Sequence, residues 1–379
     1  MKKVGIITIC DYQNYGNRLQ NYAVQEILKD LGYQVTTIVN NSPKPDTIDS
    51  LPYKERIKRL INHNPSKILD KILLKIEDKL NAKKKSILLN QKIGSFKNFT
   101  SKYISETSFT VDHRNIPTEL ESLFDYYIIG SDQIWNPSFR YGSGFDFGTF
   151  CNEKRKIALS PSFGISEIPD RYKKSYSIML NEIEYLSARE ESGSNIIKEL
   201  TGRDAPVLVD PTLMLSKERW LKISSQNKFK PQKEYILTYF IGEKERETKK
   251  WISSLAYNKG MDICHMANIN DPKRYAADPS EFIDYINSAQ VLCTDSFHGV
   301  IFSILMGIPF IIFDRKGKSV KMSSRIDTLL SKFHLEDRRF NKVKTHGNIF
   351  NVNYSHVQDI LEIERKKTMT YLNEGLNEQ

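Results

Sequence analysis

The chain opens on an apolar, β-branched run, Val4–Cys10, then a polar loop, Asp11–Gly16, and then Leu19, Tyr22, Ala23, Ile27 and Leu28 on one helical face. Gln34–Val39 follows after Gly32, so the pattern predicts a strand–loop–helix–strand unit of βαβ length. The same alternation predicts strands at Tyr126–Ile129, Lys156–Ser160, Tyr185–Ala188 and Pro206–Val209. A second set follows the polar stretch Ser224–Lys233: strands at Tyr235–Phe240, Met261–His265, Val291–Thr294 and Phe310–Phe313, and helices at Lys244–Asn258, Pro279–Ser288 and Val300–Met306. Strands alternating with helices are the sign of parallel sheets covered by helices. The expected class is α/β, with two Rossmann-like domains facing a central cleft. The expected division is 1–222 with a basic helical insertion near 50–100, then 231–345, then a helical tail over 346–379.

Charge changes this picture in one place. The formal net charge is +10, and between Lys54 and Lys85 eleven lysines and arginines face four carboxylates. Ile57, Leu60 and Ile61, then Ile68, Leu69, Ile72, Leu73, Ile76 and Leu80, recur at helical spacing with Pro65 between the runs, which predicts two amphipathic helices. A solvated face accounts for most of this charge. The sharper alternative is a surface for anionic lipid headgroups or a polyanionic acceptor. No helix-turn-helix, zinc-finger or RNP pattern accompanies it, so nucleic acid is not an expected partner.

The length of 379 residues fits two or three domains, and the 39% hydrophobic composition excludes a disordered or collagenous chain. Cys10, Cys151, Cys264 and Cys293 are too dispersed for a disulfide framework or a cysteine-rich zinc site. Cys264-His265 is one adjacent pair, read as core rather than as a metal site. The first apolar run is too short for a signal peptide, and nothing approaches a membrane span. The expected location is cytoplasmic, with docking at the inner membrane face through 54–85 as the sharper reading of the basic segment.

Ligands of open α/β sheets sit beyond the carboxyl ends of the strands. Three loops there carry chemistry. Thr294-Asp295-Ser296-Phe297-His298-Gly299 places His298 where a strand gives way to a helix, a position that attracts anions and disfavours an imidazolium. The ring can carry a proton there, or merely satisfy loop carbonyls. The loop after the first strand offers Asn14, Asn17 as a candidate N-cap, and Arg18 facing the cleft; the two asparagines can equally shape the loop. In Gly130-Ser131-Asp132-Gln133-Ile134-Trp135-Asn136, Asp132 can serve as a base or cap a helix, and Trp135 can stack on a sugar or fill the core. Arg189 and Arg325 are candidate anion clamps, each with a surface ion pair or surface charge as the plainer alternative. Asp210-Pro211-Thr212 reads as a turn.

YGNRLQNYAVQ, GSDQIWNP, SPSFG, SARE, VDPTLML, ADPSEFIDYI…VLCTDSFHG and SSRI-x-TLL, in this order and spacing, resemble the polysaccharide pyruvyl transferase family. The resemblance runs from the first strand to about Arg338, apart from the basic segment. It implies a GT-B-like fold and transfer of the pyruvyl group of phosphoenolpyruvate onto a sugar as a ketal. It also implies a sugar acceptor within a polysaccharide precursor or lipid-linked oligosaccharide, and no cofactor; no residue pattern requires a metal, and a divalent ion assisting the phosphate stays open. The family's Ser-x-Arg-x-His-Gly type motif falls on His298, which becomes the acid/base, with Asp132 as base for a sugar hydroxyl. Arg189, Arg325, Asn14, Asn17, Arg18, Ser296, Gly299 and Trp135 become substrate contacts. Ser296 stands where many members carry arginine, so Arg189 and Arg325 would take more of the donor's charge. A nucleotide-sugar-dependent GT-B glycosyltransferase and a non-catalytic glycan-binding relative fit the same frame.

Overall fold

Strands buried on both faces by helices are apolar at nearly every position, and such continuous runs form the centre of this molecule. The structure is a computed structural model that describes residues 1–41, 66–152, 155–242, 244–315 and 324–377, the side chains of 66–81 and 346 excepted. β1 (Lys3–Ile7), β2 (Gln34–Thr37), β3 (Tyr126–Ile129) and β4 (Lys156–Ala158) form one parallel sheet in the order β2-β1-β3-β4. β5 (Tyr235–Tyr239), β6 (Asp262–Met266), β7 (Val291–Thr294) and β8 (Phe310–Ile312) form a second in the order β6-β5-β7-β8. Each is therefore a Rossmann-like half, and the two together give the GT-B-like frame. Tyr185–Ala188 and Pro206–Val209, expected as strands, form only single bridges, Ile157 with Tyr185 and Ala188 with Val207.

One apolar cluster joins the halves. Tyr15, at the start of the Tyr15–Asp30 helix, stacks on Phe282 with centroids 4.5 Å apart, and its hydroxyl donates to the Ala277 carbonyl at 2.9 Å. Trp220 packs between Tyr22 of the first half and Phe302 of the second. This packing sets the amino end of the Tyr15–Asp30 helix against that of the Phe297–Met306 helix.

The tail helix Val357–Asn377 does not stand apart. It returns to the first half, where the Tyr371 hydroxyl donates to the Ala158 carbonyl at 2.9 Å, Lys367 Nζ to Val207 O at 3.0 Å and Arg365 Nε to Leu213 O at 2.8 Å. In the basic segment, the second expected helix is the start of one 38-residue helix, Ser66–Tyr103. The Ile57–Ile61 run and Pro65 lie outside the described residues. Among the described residues no helix is long and apolar enough to cross a membrane.

Candidate active site at the seam of the two halves

The strand orders place a switch point between β1 and β3, where the following loops diverge. A cleft of about 770 Å³ opens there, lined by Asp11, Tyr12, Gln13 and Asn14 from the β1 loop and by Asp132 and Gln133 from the β3 loop. At the matching point of the second sheet the loops are tied together instead. Asp295 accepts from the backbone N–H groups of Ile241 at 2.7 Å and Gly242 at 2.8 Å, and from Arg315 Nε at 3.0 Å.

His298 sits one residue into its helix, whose N-cap is Ser296; the expected start at Val300 was three residues late. The Ser296 hydroxyl accepts from the Gly299 N–H at 3.3 Å, so this serine is spent on the cap rather than on a ligand. Gly299 is likewise structural, since a Cβ there would come within 2.9 Å of Thr294 Oγ1. The imidazole is wedged between elements of the first half and is 8% exposed. On one side is Gly16, where a Cβ would lie 1.9 Å from His298 Nδ1, so only glycine admits the ring. On the other is Asp210, whose Oδ2 lies 3.5 Å from His298 Nε2. Among the described residues that nitrogen has no hydrogen-bond partner.

Asp210 is the residue that the sequence reading passed over. It does make the turn, accepting from the Thr212 N–H at 3.0 Å and hydroxyl at 2.6 Å, but it also receives Arg189 NH1 at 2.7 Å. Burial opposes its charge. His298, Arg189 and the Thr212 hydroxyl more than offset this and hold its carboxyl well below the usual carboxylate range. The only available signal was VDPT itself, a carboxylate directly after an apolar run.

Arg189 is buried beneath the seam, not paired on the surface with its neighbours in sequence. Its guanidinium lies over the Phe297 ring, 4.6 Å from the centroid, and Arg325 approaches the same ring at 5.6 Å. Arg189 Nε and NH2 and Arg325 Nε are buried without hydrogen-bond partners. The Gln133 amide lies 3.2 Å from both terminal nitrogens of Arg325 and accepts from them with its oxygen turned that way. Burial, and then repulsion from Arg189, push the Arg325 guanidinium down to about 10, still charged at neutral pH. Two buried cations with open donors beside His298 form a natural seat for an anion.

Asp132 faces the cleft, but its oxygens are occupied. Asn17 Nδ2 donates at 2.9 Å, the Gln133 N–H at 2.8 Å, and Arg189 NH2 lies 3.9 Å away. Burial favours its neutral form, yet Arg189, His298 and Asn17 prevail and lower its pKa. A carboxylate so stabilised is a weak base, which corrects the role expected of it. Asp11 shows the opposite balance. Burial raises its pKa, the Gln13 N–H opposes this, and Asp132 adds to the rise.

Other expectations change too. Asn14, not Asn17, caps the first helix, accepting from the Asn17 N–H at 3.3 Å while still lining the cleft. Asn17 is buried and positions Asp132. Arg18 is fully buried, with Glu106 at 2.8 Å and donors on Ile9 O and Asn17 Oδ1, so it cannot reach a ligand. Trp135 is also fully buried, stacked on Phe147 at 5.3 Å with its Nε1 donating to Asp146 O, which makes it core and not a sugar platform. Cys264 is core as expected, but His265 lines a second pocket. Among the described residues no group of three His, Cys, Asp or Glu side chains is placed to hold a metal ion.

The family model described as polysaccharide pyruvyl transferase matches residues 14–317, a span that carries the whole His298–Asp210–Arg189 cluster. The chain belongs to that family. No curated protein matches it in sequence. Solved structures similar to this pyruvyl transferase family member include MnaA of S. aureus with UDP, at 11% identity, TM-score 0.47, covering 100% of this chain and 97% of that one. A UDP-GlcNAc 2-epimerase from Neisseria meningitidis bound to UDP-GlcNAc gives 10%, 0.41, and coverage of 98% and 100%. A glycosyltransferase from Rickettsia africae gives 13%, 0.40, and coverage of 100% and 99%.

Proposed function

We propose that this family member transfers the pyruvyl group of phosphoenolpyruvate onto two hydroxyls of a sugar as a ketal, releasing inorganic phosphate. The observation that carries this reading is the pair of buried guanidiniums on Phe297, with open donors, directly beside an imidazole backed by Asp210. In this reading Arg325, from another helix, supplies the charge that an arginine at position 296 would bring.

In the first step the His298 imidazole gives a proton to the methylene carbon while one sugar hydroxyl adds to the neighbouring carbon. Arg189 and Arg325 hold the carboxylate and phosphate as charge redistributes. The hydroxyl proton passes to Asp11, whose raised pKa suits a base better than that of Asp132. The second hydroxyl then displaces phosphate, and its proton leaves through the same groups. Tyr12, Tyr141, Gln13 and Asn14 give the cleft the mixture of aromatic and amide surface that a sugar ring requires.

Purified protein is expected to release phosphate from phosphoenolpyruvate only when a suitable sugar acceptor is present. Arg325→Gln should raise KM for phosphoenolpyruvate by about 10–100-fold, the worth of a charged hydrogen bond, with a smaller change in kcat. An unchanged KM would remove Arg325 from the donor site.

The acceptor in this reading is a lipid-linked oligosaccharide presented at the inner membrane face. Lys83, Lys84 and Lys85 are exposed on the long helix, and the other basic side chains before them lie outside the described residues. Changing Lys71, Lys75, Lys79, Lys83 and Lys84 to glutamine is expected to reduce co-sedimentation with anionic liposomes. Unaltered co-sedimentation would leave the segment as a solvated face.

A further inference from the structure

We propose that a second pocket, at the carboxyl ends of β5 and β6, binds a diphosphate group. This cavity of about 830 Å³ is lined by Lys244, Lys249 and His265, with no Asp or Glu among the described residues of its wall. Among the described residues neither lysine has a carboxylate within ion-pair distance. Lys244 is half-buried, donates to the Thr238 hydroxyl at 3.5 Å and lies over the Phe240 ring, 5.1 Å from its centroid, and burial together with Lys249 lowers its pKa. The same hydroxyl lies 2.7 Å from His265 Nδ1, which leaves the other ring nitrogen for a ligand. Two ammonium groups that repel one another suit the negative charge of a diphosphate, and His265, whose pKa burial and Lys244 lower, adds a neutral hydrogen-bonding nitrogen.

Phe240, Ile252, Ile263 and Ile269 supply an apolar wall for whatever the diphosphate carries. Gly242 belongs to this wall, and its N–H is held by Asp295, three residues before His298. The pocket is thus coupled to the loop that carries the imidazole, yet distinct from Arg189 and Arg325. Diphosphate on an isoprenoid or on a nucleoside would satisfy the same groups. That this end belongs to the acceptor's carrier rests on the transferase reading above; the binding itself does not.

Calorimetric titration of the full chain with inorganic pyrophosphate, farnesyl diphosphate and UDP tests the proposal without turnover. Pyrophosphate should bind, and at least 10-fold more weakly to Lys249→Gln, whose side chain is exposed in the native fold. A gain in affinity with farnesyl diphosphate assigns an isoprenoid carrier, and a gain with UDP a nucleoside carrier. No binding of the three, or pyrophosphate affinity unchanged in Lys249→Gln, overturns the site. Absence of phosphate release from phosphoenolpyruvate would instead count against the transferase reading, because the titrations need no chemistry.

Discussion

Replacing His298 with alanine is expected to lower kcat by about 10²–10⁴-fold, the range supplied by a positioned general acid. The fold should survive. Asp210 keeps Arg189 at 2.7 Å and both Thr212 bonds when the ring is gone, so no buried charge is orphaned. The check is phosphate release measured beside a melting curve. A His298→Ala protein that melts normally and turns over normally would take the proton away from this residue. Gly16→Ala should produce a related defect with the imidazole still present, because its Cβ needs the space that Nδ1 occupies. Comparing the two variants separates loss of the ring from loss of its placement.

The second large effect belongs to stability. Asp210→Ala leaves the Arg189 guanidinium buried with Asp132 as its nearest carboxylate, 3.9 Å away. Breaking a buried pair in this way costs about 3–5 kcal/mol, and chemical denaturation should show it directly. The sign with pH follows from the lowered pKa. Stability from the ionised Asp210 is fully present above the ordinary carboxylate pKa, about 4, and declines only as pH falls below it toward the lower folded value. Wild type and Asp210→Ala should therefore converge in strong acid and differ by a constant amount near neutrality. A difference that grows between pH 6 and 8 would point to another group.

The two-sheet frame was legible because central parallel strands are unbroken apolar runs, and eight of the ten expected strands are ladder strands. Tyr185–Ala188 and Pro206–Val209 look alike in sequence but lie where pairing has dwindled to single bridges, a distinction that depends on neighbours. The 38-residue helix was half legible, since beyond Leu80 its charged residues obscure the apolar stripe.

Within the site, His298, Arg189 and Arg325 were visible as polar residues at strand or helix ends. Their meeting on Phe297 was not, because it brings Arg189 to residues more than a hundred positions further along the chain. Asp210 was hidden by its turn chemistry, which is real and is only half of what it does. Trp135 misled for the opposite reason. Apart from Ile134 its near sequence neighbours are polar, while Phe147, Phe163 and Tyr176, which enclose it, come from later segments.

The imidazole hangs from one half of the molecule, while Gly16 and Asp210, which confine it, belong to the other. The ring's confinement therefore depends on how the two halves pack, and a substitution at the Tyr15–Phe282 or Trp220–Phe302 contact is expected to loosen it from a distance.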